Sequence, residues 1–500
     1  MIESAPHTPP GGGSRFRFTG SLRRQAARGT LINAAFTVGV SLLGLLKGFI
    51  LARFLSRGDY GLWGIIAVSL STLLWLKQAG IGDKFVQQDE RDQELAFQRA
   101  FTLELALTGL CVAVIVIALP LLVVIYSLPQ LVGPSLVVAA ALVAAVFQAP
   151  LWIYYRQMDF GRQRALQAID PVISFAVSIT LAVAGAGYWA FVGGLLAGVC
   201  AASAAAVLSS PYQLRLRWTR GALRSYWAFS GPLLLAGVAT FLMAWGAVIA
   251  AKLALGVAAV AVIALADNIA SFTERVDDLV TGALYPAICA VRDQTELLYE
   301  SLVKSNRLAL MWAVPFGVGI TLFCADLVHF GIGERWRPAV VVLQVYGVAA
   351  AINHIGFNWS AYFRALNRTR PIALSTVTAT VVFLLTGIPL LLVMGLPGFA
   401  IGIAAQGLAA LGLRAYYLQR LFPGFDFLRH AARSFLPTVP AAVLVLILRS
   451  IDGTRTLALA LAELAAYVIT AAAATWALER GLIREALAQL GRRGAAPAVS

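Results

Sequence analysis

Four polar side chains recur on one face of a long apolar stretch, residues 257–284: Asp267, Ser271, Glu274 and Asp278, at steps of three or four. Such steps place side chains along one side of a helix. Asp267 falls about 15 Å into that helix at 1.5 Å per residue, a depth where a carboxylate marks a proton- or cation-sensitive site or pairs with Asn268 or a base on another helix. Glu274, Arg275, Asp277 and Asp278 lie nearer its end, where a cavity role competes with solvated helix-end charge. Lys47, Arg53 and Lys77 are the basic counterparts in the first two apolar stretches; each either lines a cavity or snorkels to the interface. Lys77 and Asp277 stand at an offset of 200, so opposite charges are expected to face each other at an inner mouth. Asn353 and His354, with Asn358, offer donors and acceptors suited to sugar hydroxyls, or else to contacts between helices. All of these groups bind and exchange; none forms a nucleophile–base pair or a metal-ligand spacing.

What must position them is a set of membrane helices. The chain is 60% hydrophobic and 13% charged, with a mean hydropathy of +0.80, too apolar for 500 residues in water. About 14 stretches are long enough to cross a bilayer. Of 39 Lys and Arg residues, 29 fall in the N-terminus and alternate gaps, 7 in the opposite gaps, and Lys47, Lys77 and Arg275 within segments. This is the positive-inside bias, and it puts both termini of a multi-pass membrane protein in the cytoplasm. It also accounts for the net charge of +15 without nucleic acid. Cys111, Cys200 and Cys324 sit in apolar segments and Cys289 just beyond one, so neither disulfides nor a cofactor is expected.

The expected architecture is all-α and integral to the membrane: two parallel, pseudo-symmetric six-helix lobes around a central cavity, plus two extra C-terminal helices. Residues 1–28 form a basic cytoplasmic N-terminus, 29–209 the N-lobe, 210–227 a linker, 228–413 the C-lobe, 414–478 the last two segments and 479–500 a cytoplasmic tail. The repeat is visible where Gly48–Leu55 and Ala247–Gly256 each join two helices through a short turn. An even number of segments separates the copies, so they point the same way. Gly44-x-x-x-Gly48 and Gly398-x-x-x-Gly402 fit close helix contacts. Asp170-Pro171 reads as a helix start, with Asp as N-cap and Pro in the first turn.

Several fragments resemble the polysaccharide exporter (O-antigen flippase) family of the multidrug/oligosaccharidyl-lipid/polysaccharide superfamily. They are Leu51–Leu62, Gly80–Gly82, Val86–Gln88, Arg156–Phe160, Gly185–Ala190, Leu284–Ala287 and Gly333–Trp336. After the second-half turn the family commonly carries a Gly and an aromatic, where this chain has Ala261 and Ile263. The resemblance implies a flippase, not an enzyme, that moves a polyprenyl-pyrophosphate-linked oligosaccharide from the inner to the outer leaflet. It also implies partners in polysaccharide polymerisation, with H⁺ or Na⁺ as a conceivable coupling ion. Alternatives are a peptidoglycan-precursor flippase, a multidrug/cation antiporter and, in a different class, a membrane glycosyltransferase or polymerase. The short loops disfavour the last. Lys304-Ser305 lacks the glycines of a phosphate loop, which disfavours ATP hydrolysis.

Overall fold

In hydrocarbon every backbone N–H and C=O must be satisfied within the protein, which leaves helices as the solution for long apolar segments. The computed structural model describes residues 22–77, 81–87, 90–157, 159–218, 238–291, 293–366, 368, 370–451 and 455–492. In its first half run α1 (Leu22–Phe54), α2 (Arg57–Lys77), α3 (Ile81–Gln87), α4 (Gln93–Tyr126), α5 (Val132–Val146), α6 (Leu151–Arg156), α7 (Phe160–Val183) and α8 (Trp189–Leu208). The second half holds α9 (Val238–Leu255), α10 (Val257–Ala290), α11 (Thr295–Asp326), α12 (Ala339–Asn353), α13 (Trp359–Ala365), α14 (Arg370–Val382), α15 (Ile388–Met394) and α16 (Leu396–Leu421). Then come α17 (Phe427–Phe435), α18 (Val439–Ile451) and α19 (Leu457–Arg492).

Ten of the described helices are long and apolar enough to span a membrane, and the pair α17–α18, bent by 48°, makes an eleventh. Fourteen thus exceeds what length and composition support among the described residues; α2 and the shorter apolar stretches of α9 and α12 occupy the other three expected positions. The helices outrun their apolar segments mainly on the side that the positive-inside bias assigns to the cytoplasm, called inner below, with the opposite side called outer. α4 begins at Gln93 and α11 at Thr295, while α19 continues to Arg492, because a helix need not stop where its side chains become polar. Outer turns are tight. Gly256 joins α9 to α10 alone, at φ 86, a left-handed conformation that glycine adopts without strain. The matching N-lobe turn uses Ser56 instead, whose hydroxyl accepts from Asp59 N at 3.1 Å and caps α2.

In the N-lobe α7 and α8 lie along each other and against α1 and α5; in the C-lobe α14, α15 and α16 pack together and on α9. α1 and α2 cross onto α10, joining the lobes. The last helices are held by charge. Near the inner end of α11, Lys304 pairs with Glu485 of α19 (2.5 Å) and Arg307 with Glu479. At the outer end Asp326 and Glu463 are each bridged by both Arg449 and Arg455, at 2.6–3.1 Å. From Lys304 to Asp326 the helix rises about 33 Å at 1.5 Å per residue, close to a hydrocarbon thickness of about 30 Å. Between these clasps lies an apolar groove of about 670 Å³ lined by Phe49, Pro315, Phe316, Phe323, Tyr467 and Trp476, among others.

Candidate functional site

The lobes close against each other on the outer side. Gly61 and Gly64 of α2 let α10 approach so closely that a Cβ at Gly61 would stand 2.0 Å from the Val257 carbonyl oxygen, and one at Gly64 2.9 Å from the Ala264 Cβ. Deeper in, Asn268 Nδ2 donates to the Tyr60 hydroxyl (3.1 Å), which donates to Gly48 O (3.3 Å). At the rim, Trp336 Nε1 donates to Ala52 O (2.8 Å), and Arg335 donates to the carbonyls of Ala52 (3.0 Å) and Arg53. Tyr60 stands edge-on to both Trp336 and Phe191, with ring centroids 5.1 Å apart in each case. Burial and the like charge of Arg53 lower the Arg335 pKa below its ordinary value.

Inside this seal the N-lobe carries a recess of about 460 Å³ between α1, α7 and the end of α5. Its positive charges are Lys47 and Arg164. Lys47 Nζ donates to Ser174 Oγ at 2.7 Å and is balanced by the nearby Asp170. Arg164 lies over the Phe36 ring, 5.0 Å from its centroid, and donates to Gln167 Oε1 at 2.6 Å. Gln148 completes the polar lining. Asp170-Pro171 is not a helix start. Both lie inside α7, which begins ten residues earlier, where Asp159 Oδ1 accepts from Arg162 N at 3.1 Å. An interior proline has no N–H for the carbonyl four residues back, so Gln167 O is released beside the recess. Gly198 of α8 makes room for the Asp170 carboxylate: a Cβ there would lie 2.4 Å from Asp170 Oδ1.

The C-lobe assembles a different cluster, where the tenth apolar stretch, residues 339–362 and called segment 10 here, breaks between α12 and α13. His354, 2% exposed, packs edge-on against Trp312 with centroids 5.2 Å apart. Its Nδ1 is 2.5 Å from Ala350 O and its Nε2 is 2.9 Å from Asp277 Oδ1. Arg414 of α16 donates to Ile355 O (2.9 Å) and Asn353 O, tying down the broken backbone, and its charge acts on Asp277. Asn306 donates to His354 O (2.7 Å) and accepts at Oδ1 from His430 Nε2 (2.6 Å).

The predicted residues therefore separate. Lys47 enters the N-lobe recess, whereas Arg53 is exposed at the outer rim. Asp267 is exposed between the lobes, its charge felt by Tyr60 of α2 and Tyr346 of α12; Glu274 is also exposed and acts on Tyr346. Asn353 is exposed, facing Gly407 of α16. The side chains of Lys77, Arg275 and Asp278 lie outside the described residues. Asp277 meets His354 and the charge of Arg414 within its own lobe, while its expected partner Lys77 lies outside the described residues. Sequence reasoning missed Arg164 and Arg414, which had counted only toward loop charge. For Arg164 the available signal was Gln167 one helical turn along the same face, whereas the partners of Arg414 lie on other elements.

Residues 50–341 match the family described as "Polysaccharide biosynthesis protein". The "Lipopolysaccharide biosynthesis protein WzxC" of Escherichia coli (strain K12) is 22% identical over 354 residues, covering 67% of this chain and 69% of the relative. Among solved structures, "Lipid II flippase MurJ, inward closed conformation" superimposes with a TM-score of 0.73 at 11% identity, over 91% of this chain and 99% of that one. An inward-facing multidrug resistance MATE transporter of the MOP superfamily gives 0.63 at 16% identity, over 78% and 98%. A family match across more than half the chain shows that it belongs to the polysaccharide biosynthesis protein family, and the solved structures share its fold.

Proposed function

We propose that this protein moves a polyprenyl-pyrophosphate-linked oligosaccharide from the inner to the outer leaflet by alternating access. The observation that carries this reading is the recess in the N-lobe, where Lys47 and Arg164 present two cations beneath a closed outer rim. A pyrophosphate cannot enter hydrocarbon unaided, since a charge at the bilayer centre costs at least about 2.5–3.5 kcal/mol. Two cations close to polar Gln148, Gln167 and Ser174 replace the water it would lose. The apolar groove between α11 and α19 suits the prenyl tail, which meets surroundings there about as apolar as the lipid it leaves. Asp267, exposed between the lobes, and Asn353 face space open to a polar head. The positive-inside bias puts both termini in the cytoplasm of a bacterial inner membrane, with the polymerising machinery as recipient on the far side.

A peptidoglycan-precursor lipid is the second reading, favoured by the shape likeness to MurJ, which exceeds that to the drug transporter. Both cargoes share the pyrophosphate. Deletion of the protein followed by leaflet-resolved analysis of lipid-linked sugars separates the cases. Accumulation of a surface-polysaccharide precursor on the inner leaflet supports the proposal. Accumulation of the peptidoglycan precursor instead favours the second reading, and loss of the linked sugar itself indicates a synthetic enzyme.

A further inference from the structure

Tautomer logic at the break in segment 10 leads beyond the cargo site. A carbonyl oxygen only accepts, so His354 Nδ1, 2.5 Å from Ala350 O, carries the hydrogen. In a neutral ring Nε2 then presents a lone pair, and it does so 2.9 Å from the Asp277 Oδ1, which presents another. The contact is not aligned as a hydrogen bond, and neither atom has a different hydrogen-bond partner among the described residues. Two acceptors at that distance repel in a buried site. One proton, on Nε2 or on the carboxyl, turns the repulsion into attraction.

We propose that His354 and Asp277 form a proton-binding site whose occupancy clamps α10 to the broken segment 10, and whose emptying releases it. Three helices give its depth. Counted from their outer ends, Asp277 on α10, His354 after α12 and Arg414 on α16 lie about 30, 22 and 27 Å down at 1.5 Å per residue. All three figures place it in the inner third of the membrane. His354 is buried, but the Asp277 side chain is 23% exposed, which gives the proton a path to the inner side while the outer rim is sealed. α10 is also the helix that α1 and α2 grip at the lobe junction, so a clamp on it bears on how the lobes move.

The other groups around the site are accounted for. Arg414 faces it from α16 and stays engaged with two backbone carbonyls. α11 contributes Asn306 and Trp312, with Arg307 beside them held by Glu479. His430 of α17 reaches it only through Asn306, and Glu274 sits one turn up α10.

This inference rests on the transport reading for its purpose but not for its test. Full-length protein in nanodiscs is titrated from pH 5 to 9 while indole fluorescence is recorded, because a protonated imidazole quenches an adjacent indole more strongly than a neutral one. The wild type is expected to show a titrating component that disappears in both His354→Gln and Trp312→Phe. Asp277→Asn should weaken the apparent proton affinity at least about tenfold by removing a charge in contact. A component that survives in His354→Gln, or none in the wild type, overturns the proposal. In proteoliposomes holding a fluorescent polyprenyl-pyrophosphate sugar, an imposed pH gradient should accelerate wild-type translocation and leave His354→Gln at its gradient-free rate. Equal gradient responses in the two proteins overturn the coupling. Titration without any translocation would retain the proton site and discard the flippase reading.

Discussion

The two lobes share a plan but handle buried charge in opposite ways. In the N-lobe, Lys47 and Arg164 line an open recess and meet neutral partners, Ser174 and Gln167, with Asp170 as the one balancing carboxylate. In the C-lobe, Arg414, His354 and Asp277 spend their capacity on one another and on backbone carbonyls of a broken helix. Charge facing space can take a ligand, whereas charge that closes on the protein can only report or regulate. On the reading proposed above, the pseudo-symmetric bundles divide labour, one half for cargo and one for control.

The largest effect should come from emptying the recess of cations. Lys47→Ala with Arg164→Ala removes two charge-assisted contacts worth about 1.5–3 kcal/mol each, so leaflet-to-leaflet transport should drop at least about 100-fold with expression unchanged. Retention of transport would break the cargo side of the comparison. Next, Arg414→Ala should act on stability, lowering it by about 3 kcal/mol because the broken backbone loses its donor and Asp277 its cation; thermal unfolding in detergent checks this. Asp170→Asn should then sharpen the contrast in the other direction, raising the affinity of inorganic pyrophosphate by a few-fold, an effect of about 1 kcal/mol that salt diminishes. The smallest change is expected for Glu463→Gln, where Asp326 continues to hold both arginines. A loss of about 1–2 kcal/mol in unfolding should leave transport unaffected.

How far the sequence reached differs by feature. Hydropathy located the ten long spans and the bent α17–α18 pair, since burial in lipid imposes a continuous apolar run, whereas α2, α9 and α12 fall short of that length and composition among the described residues. Helix ends were less legible on the inner side, because polar residues such as Phe160–Leu166 of α7 continue the helix in water without any apolar signature. Asp170-Pro171 misled for a physical reason: a proline that ends a carbonyl's hydrogen bond inside α7 looks locally like one that opens a helix. Arg449 and Arg455 looked like exceptions to the inward bias of positive charge, yet Asp326 and Glu463 neutralise them. Their carboxylates sit far away in the chain, and only folding discloses the pairing. The hydrogen bonds that Arg455 donates to Asp326 and Glu463 make the same point electrostatically, since they hold its pKa above its usual range. The break at His354 was likewise invisible, because Asn353 to Asn358 interrupts neither length nor hydropathy strongly.

The ionic clasps at the two ends of α11 and α19 have a consequence for where the protein can work. Held about 33 Å apart by a rigid rise, they fix the polar margins of this helix pair and so act as a caliper on the surrounding lipid. A bilayer some ångströms thinner would strand apolar side chains in the headgroups, while a thicker one would draw Glu463 and Glu479 into hydrocarbon; each mismatch costs fractions of a kcal/mol per ångström. Membrane thickness is therefore built into this chain as a condition on its residence.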